Sequence, residues 1–216
     1  MSEEIDVKWM IQKGYSLESH LIAEGMSFDA FDLINRADKK IGKTIRQKII
    51  AQFMKDLRSD FSDEYDEVDL LKIKYGVYCI SVGTGFEIDY TKRTSRVLYI
   101  GSGAVHDRIK QHLSGKLFDF VRALRTIPLR FYICDLTDIE DGKTVQRALE
   151  YSLLRQFCEK VDDSFPLLNK RNAPNKVSRY KFSKGWDFPI QKDRGKNTTQ
   201  WLIKPYDMEM WKGALS

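Results

Sequence analysis

The segment from Val97 to Leu113, VLYIGSGAVHDRIKQHL, constrains the fold more than any other stretch of the chain. An apolar run typical of a strand stops at Gly101 and Gly103, and apolar residues then recur at i, i+4 and i+8, the spacing of one helix face. The segment therefore predicts a strand, a tight glycine turn and a helix over 104–113.

Two polar side chains share one edge of this predicted helix. Arg108 and His112 are four residues apart and lie about 100° round the helix from the apolar stripe. We expect both to lie at the margin of the core, near the end of the strand that carries Tyr99. A pair of this kind is usually a solvated helix flank, so it indicates a function only together with other signals.

Three strands are predicted after residue 70. The segments GVYCISV and RVLYI are short and rich in β-branched residues, and a long polar connection between them favours an antiparallel pair. We predict strands at Gly76–Val82, Arg96–Ile100 and Leu129–Leu136, and helices at Ala104–Leu113, Leu117–Leu124 and Lys143–Val161. The expected fold class is α+β, with a small three-stranded antiparallel sheet flanked by helices.

Residues 1–70 are predicted to form a helical amino-terminal extension. Its clearest helix begins near Thr44, the predicted N-cap, and carries an apolar stripe that includes Phe53. The acidic stretch Ser62–Asp69 is predicted to be a solvated linker. We therefore divide the chain into an accessory region at 1–70, a central domain at 71–172 and a carboxy-terminal extension at 173–216.

The net charge of +5 conceals an asymmetry along the chain. Residues 1–70 hold 10 Lys/Arg and 15 Asp/Glu, whereas residues 71–216 hold 26 and 16. A basic portion of this size favours a polyanionic partner, of which nucleic acid is the commonest. A basic surface that only keeps the protein soluble is the alternative.

The carboxy-terminal extension and the residues just before it are basic and aromatic. No acidic residue occurs between Ser164 and Trp186. Cations on phosphates and rings that can stack on bases are typical of nucleic-acid surfaces. The alternative is that the rings pack on the body of the protein while the lysines stay in water. The candidate DNA contacts here are Lys170, Arg171, Lys176, Arg179 and Lys181.

The cysteines and the amino terminus indicate the compartment. Cys79, Cys134 and Cys158 lie in apolar segments without CxxC spacing, so neither a zinc site nor a disulfide framework is predicted. The first residues are acidic and lack the pattern of a signal peptide, and no apolar run approaches the roughly 20 residues of a membrane span. We therefore expect a cytoplasmic protein with no membrane partner.

Glu150 stands out in the helix predicted at Lys143–Val161. It shares a face with the apolar residues Leu154 and Phe157. A carboxylate on a partly apolar face is costly unless a cation or a hydrogen-bond donor meets it. Two interpretations remain: a structural salt bridge, or a ligand for Mg²⁺, which favours one or two carboxylates together with waters.

These residues together resemble the GIY-YIG nuclease family. The sequence has GVY at Gly76–Tyr78, YIG at Tyr99–Gly101, then Arg108, His112, Glu150 and Asn169 (in PLLNKR), in the family's order. The resemblance covers residues from about Lys74 to Arg171. It implies a small antiparallel sheet flanked by helices that cleaves DNA with one divalent metal ion.

The resemblance also implies a role for each matched residue. Glu150 would bind Mg²⁺ or Mn²⁺, and Arg108 would hold the scissile phosphate. Tyr78 would activate the attacking water, with His112 as the alternative base, and Tyr99 would orient the water or the phosphate. Asn169 would hold the site together through its amide. In addition, Lys110 and Lys116 are candidate phosphate contacts, by position alone.

Two departures from the family pattern bear on the biological role. GVY replaces GIY, and the connection between the two halves of the motif is longer than in the shortest members, as in the restriction-enzyme branch. We therefore expect a restriction or defence endonuclease. A homing or mobile-element nuclease, a structure-specific repair nuclease and a non-catalytic DNA-binding protein with the same fold remain alternatives. Cleavage of both strands at a palindrome would favour a homodimer.

Overall fold

The computed structural model describes residues 4–17, 34–35, 37–66, 68–90, 92–124, 127–162, 165–169, 180–192 and 201–203. In chain order these residues form β1 (Glu4–Ile5), β2 (Met10–Tyr15), α1 (Lys39–Glu64), β3 (Gly76–Val82), β4 (Phe86–Asp89), β5 (Thr94–Ser95), β6 (Val97–Gly103), α2 (Val105–Leu113), α3 (Lys116–Ala123), β7 (Leu129–Asp135), α4 (Gly142–Lys160), β8 (Lys181–Phe182), α5 (Phe188–Lys192) and β9 (Trp201–Ile203). The described part of the chain is a mixed α+β structure.

The central sheet is built round β3. Its strand order is β2-β7-β3-β6, and every neighbouring pair is antiparallel. All seven residues of β3 are buried, as expected for a β-branched run that pairs on both edges. In this register Tyr78 lies opposite Gly101 on one side and Ile133 on the other. The three predicted strands are therefore confirmed, and the first two are antiparallel.

The sheet has a fourth strand, which the sequence analysis did not predict. Strand β2 pairs with β7 along the edge away from β3. Its alternation is weak, because Gln12 takes a buried position and Gly14, with φ of +81°, lies where the register shifts. The description of residues 1–70 as helical is thus wrong for this segment, and the sheet is four-stranded rather than three-stranded.

Helix α1 begins earlier than its apolar stripe suggests. Asp38 is the N-cap, and its Oδ1 accepts hydrogen bonds from the backbone N–H groups of Lys40 and Ile41, at 2.8 and 2.9 Å. Thr44, the predicted N-cap, lies inside the helix, where its Oγ1 donates to the carbonyl of Lys40. The helix also runs to Glu64, so the first residues of the predicted acidic linker are helical.

Helix α1 is packed into the core rather than held apart from it. Phe53 is fully buried, and its ring contacts Tyr15 of β2 and Phe131 of β7 edge-on, with centroids 5.4 and 5.9 Å away. Arg46 donates to the carbonyls of Ser114 and Gly115, at 3.0 and 2.8 Å, between α2 and α3. The amino-terminal region therefore supports the elements that carry the predicted site.

Two smaller sheets join distant parts of the chain. Strands β4 and β5 form within the predicted polar connection, and β9 pairs with β4 in parallel. Strand β8, from the carboxy-terminal extension, pairs with β1 in parallel. The side chain of Trp9 donates to the carbonyl of Trp186, at 2.9 Å. Described parts of the carboxy-terminal extension thus pack against the body of the protein.

The three cysteines all lie within the described residues and form no disulfide; Cys79 and Cys134 are buried and Cys158 is half-buried. Among the described helices, none combines the length and the apolar character needed to cross a membrane.

Candidate active site

The antiparallel pairing of β3 with β6 brings the two motif tyrosines together. Tyr78 on β3 and Tyr99 on β6 have nearly parallel rings, with centroids 5.9 Å apart and an interplanar angle of 20°. Gly101 lies against both rings. A Cβ at Gly101 would come within 2.5 Å of Cε1 of Tyr99 and 2.7 Å of Oη of Tyr78. Only glycine leaves room for this tyrosine pair.

Helix α2 carries His112 onto the tyrosine pair. The helix buries Val105, Ile109 and Leu113 completely, as their spacing predicts. His112 is half-buried, with its ring centroid 4.1 Å from that of Tyr99. Its Nε2 lies 2.8 Å from Oη of Tyr78, within hydrogen-bond distance. The two tyrosines and the histidine therefore form one cluster.

Arg108 lies on the same edge of α2, one turn before His112. Its aliphatic part runs beside Gly103, which has a positive φ of 132° and whose Cβ would come within 3.2 Å of Cγ of Arg108. Its Nη1 donates to Oε1 of Gln111, at 2.7 Å. Its Nε is buried and has no hydrogen-bond acceptor among the described residues. The guanidinium also interacts with the hydroxyls of Tyr78 and Tyr99, so its positive charge is held beside the tyrosine pair.

The carboxylate of Glu150, on α4, is held by a hydrogen bond from the neighbouring strand β6. The hydroxyl of Ser102, on β6, donates to Oε2 of Glu150 at 2.5 Å. The contact is made across the α4–β6 packing, 48 residues apart in the chain. Glu150 forms no salt bridge with any described residue. Its hydrogen-bond donor is instead the hydroxyl of Ser102.

Asn169 forms hydrogen bonds with β6 along the outer edge of the central sheet. Its Nδ2 donates to the carbonyl of Ile100, at 2.7 Å, and its Oδ1 accepts from the Ile100 N–H, at 3.0 Å. The backbone N–H of Leu168 also donates to the carbonyl of Leu98, at 3.0 Å. This side-chain amide pairs with β6 as another strand would, and it fixes the backbone between Tyr99 and Gly101.

Several of these residues border one cleft of about 380 Å³. Its polar lining comes from Tyr99, His112, Lys116, Glu150 and Asn169, together with Gln111. Tyr78 lies behind this lining and is 0% exposed. The structure thus brings five of the proposed site and contact residues to one opening, with Tyr78 and Arg108 in direct proximity to that group.

The other candidate DNA contacts fall elsewhere. Lys110 is exposed on the opposite side of α2 from Arg108 and His112, where it borders a groove beside α1. Lys181 is exposed on β8. The remaining candidates lie outside the described residues: Lys170, Arg171, Lys176 and Arg179.

Burial shifts the proton equilibria of the cluster. Burial raises the pKa of Tyr78 well above its ordinary value, the neighbouring Tyr99 adds to the rise, and the Arg108 charge opposes it. Burial, together with the charge of Arg108, lowers the pKa of His112 to about 4. At neutral pH the tyrosine is therefore a phenol and the histidine is a neutral imidazole.

The pKa of the Glu150 carboxyl is also shifted. Burial raises its pKa above the ordinary value, while the Ser102 hydrogen bond and the positive charge of Arg108 oppose the rise. A metal ion near this carboxylate would favour its ionised form.

The donor set limits the kind of metal site that can form. The described residues contain no cluster of three or more His, Cys, Asp or Glu side chains that could hold a metal ion. One carboxylate beside an open cleft does fit Mg²⁺ or Mn²⁺ held by a single protein ligand together with water. Glu150 is that carboxylate.

Sequence reasoning missed two residues of the site, one that borders the cleft and one that holds Glu150. Gln111 binds Arg108 three residues earlier on α2, so helical spacing alone could have indicated the pair. Ser102 follows the YIG tripeptide, and no local pattern connects it with Glu150, because the contact depends on how α4 packs against β6.

Comparison of the chain with protein-family models, with curated proteins and with solved structures gives no match.

Proposed function

We propose that this protein is a Mg²⁺-dependent DNA endonuclease of the GIY-YIG type, with a restriction or defence role. The observation that carries the proposal is the convergence of Tyr99, His112 and Glu150 on one cleft, with Arg108 beside them. A neutral base and a carboxylate at one opening, with a cation beside them, are groups that promote phosphodiester hydrolysis.

Arg108 would bind the scissile phosphate. Arg108 is only half-buried, and its charge lies near two tyrosines and a carboxylate. A guanidinium can contact phosphate through two parallel hydrogen bonds. The same contact would offset the negative charge that develops in the transition state.

His112 suits the role of general base better than Tyr78. Tyr78 is 0% exposed, so an attacking water cannot reach its hydroxyl in this arrangement, and its raised pKa keeps it protonated. His112 borders the cleft and is neutral at pH 7. Where Nε2–H donates to Oη of Tyr78, Nδ1 keeps its lone pair and can accept the proton of the water. Tyr78 would then be a positioning residue.

Glu150 would hold the metal ion, which supplies positive charge at the phosphate and at the leaving oxygen when it is bound. The serine hydroxyl on Oε2 fixes the orientation of the carboxylate. Asn169 keeps the backbone of β6 in register beside the cleft through its two hydrogen bonds with Ile100.

The test is cleavage of a mixed panel of plasmid and phage DNA. We expect discrete fragments in the presence of Mg²⁺ and none in EDTA. A smear of fragments without discrete bands would support nuclease activity but contradict the site-specific restriction role. DNA binding without cleavage, at any divalent metal tried, would favour a non-catalytic DNA-binding protein instead.

A further inference from the structure

The first two thirds of α1 carry a strongly basic surface within an otherwise acidic region. The residues from Lys39 to Lys55 include six Lys or Arg and no Asp or Glu. All four carboxylates of this helix come after Lys55. The net negative charge of residues 1–70 therefore conceals a positive segment about 24 Å long.

One member of this segment fixes its position relative to the cleft. Arg46 is 25% exposed, and its guanidinium donates to the carbonyls of Ser114 and Gly115 at the junction of α2 and α3. It also lies 4.3 Å from the ring centroid of Phe118 and pairs with Asp119 at 3.2 Å. Gly115 and the next residue, Lys116, both border the candidate active site.

Two lysines continue this face of α1 beyond Arg46. Lys39, Lys43 and Arg46 are spaced i, i+4 and i+7, so they share one side of the helix. At about 1.5 Å per residue, Lys43 and Lys39 lie about 5 and about 10 Å further along the axis. Both are exposed, and neither has an ion pair with a described residue. The rim of the cleft at Lys116 is thus followed by a basic face of α1 on which Lys39 and Lys43 form no ion pair with a described residue.

We propose that Lys39 and Lys43 bind the phosphate backbone of the DNA next to the scissile position. This inference rests on the proposed function and extends it, because it assigns a substrate-binding role to the amino-terminal region. Phosphates on one strand follow each other at about 3.4 Å along the duplex axis, so the length of this face matches about three of them. Lys116 would join the new contacts to the phosphate in the cleft.

The same helix provides a matched control. Lys48 and Lys55 are also exposed, and their positions lie about 160–180° round the helix from Lys39. The double variants Lys39→Gln/Lys43→Gln and Lys48→Gln/Lys55→Gln remove the same charge from opposite faces of α1. Glutamine has a helix propensity close to that of lysine, so both variants should melt as the wild type does.

The experiment measures binding of a fluorescein-labelled duplex of random sequence, in EDTA, over a series of salt concentrations. The slope of log K against log[salt] is negative, and for Lys39→Gln/Lys43→Gln it should become less steep by about 2, since each lost phosphate contact removes about 0.9 from its magnitude. The slope for Lys48→Gln/Lys55→Gln should equal that of the wild type. Equal slopes for both variants, whether reduced or unchanged, would overturn the proposal.

Cleavage by the wild type separates the two proposals. A wild type that cuts DNA, with an unchanged slope for Lys39→Gln/Lys43→Gln, would overturn only the role of these lysines. A wild type that neither binds nor cuts DNA would overturn the proposed function and this inference together.

Discussion

The hydroxyl of Tyr78 lies 2.8 Å from Nε2 of His112, and this contact connects the buried centre of the sheet with a helix that borders the cleft. Tyr78 is fully buried, whereas His112 is half-buried and reaches the opening. The two residues therefore cannot have interchangeable roles: the tyrosine can orient the imidazole, and the imidazole can meet a water.

The pH dependence of cleavage distinguishes the two candidate bases. With neutral His112 as the base, kcat/KM should be independent of pH from about pH 7 to about pH 9. It should fall only at acid pH, where Glu150, whose pKa burial raises, and then His112, with a pKa of about 4, take up protons. With Tyr78 phenolate as the base, burial keeps the pKa so high that kcat/KM should rise about tenfold per pH unit throughout this range.

Two variants make this comparison specific. His112→Gln should lower kcat by about 10²- to 10⁴-fold, the usual contribution of a general base. Tyr78→Phe should cause a smaller loss and leave the flat pH profile unchanged, because it removes the hydroxyl that orients the His112 ring and leaves the base itself in place. A profile that is steep in the wild type and flat in Tyr78→Phe would contradict this assignment.

Gly101 should be intolerant of even one added carbon. Gly101→Ala places a Cβ within 2.5 Å of the Tyr99 ring and 2.7 Å of the Tyr78 hydroxyl, so the rings must move apart. Overpacking of this kind typically costs about 1–3 kcal/mol of unfolding free energy. We expect a lower midpoint in urea unfolding and a loss of cleavage. Ala104→Ser, which adds an atom at an exposed position in the same turn, should leave both unchanged or slightly raise stability.

The amino-terminal region should be part of the same folding unit as the cleft. Phe53 is 0% exposed and contacts Phe131 of the central sheet, so Phe53→Ala should lower the unfolding free energy by about 3–5 kcal/mol. Ile41→Ala is the control on the same helix, since Ile41 is 52% exposed, and it should change stability by no more than about 0.5 kcal/mol. Two separate transitions in Phe53→Ala, with the later one at the wild-type urea midpoint, would instead show that α1 folds separately.

The sequence predicted the parts of the fold whose signals are local. Strands β3, β6 and β7 are short apolar runs of β-branched and aromatic residues. The spacing of Val105, Ile109 and Leu113 predicted the buried face of α2, which the structure confirms. The position of Arg108 and His112 at the edge of that face followed from the same periodicity. Strand β2 was missed because Gln12 and Gly14 interrupt its alternation.

The contacts within the cleft could not be predicted in the same way. Ser102 and Glu150 are 48 residues apart, and Asn169 and Ile100 are 69 apart, so each contact depends on tertiary packing. The shielding of Tyr78 is likewise a tertiary effect, because its neighbours on both sides are strands from other parts of the chain. The residues of the site could thus be proposed from their order, while their roles depend on burial.

The most direct test compares two carboxylates of helix α4. Glu150 borders the cleft, whereas Glu159, nine residues later, is exposed and pairs with Arg155 at 2.8 Å. Glu150→Gln and Glu159→Gln should be assayed for Mg²⁺-dependent cleavage of DNA beside the wild type. We expect discrete fragments from the wild type and from Glu159→Gln. We expect no fragments from Glu150→Gln, although its affinity for DNA should equal that of the wild type. Cleavage by Glu150→Gln at the wild-type rate would contradict it.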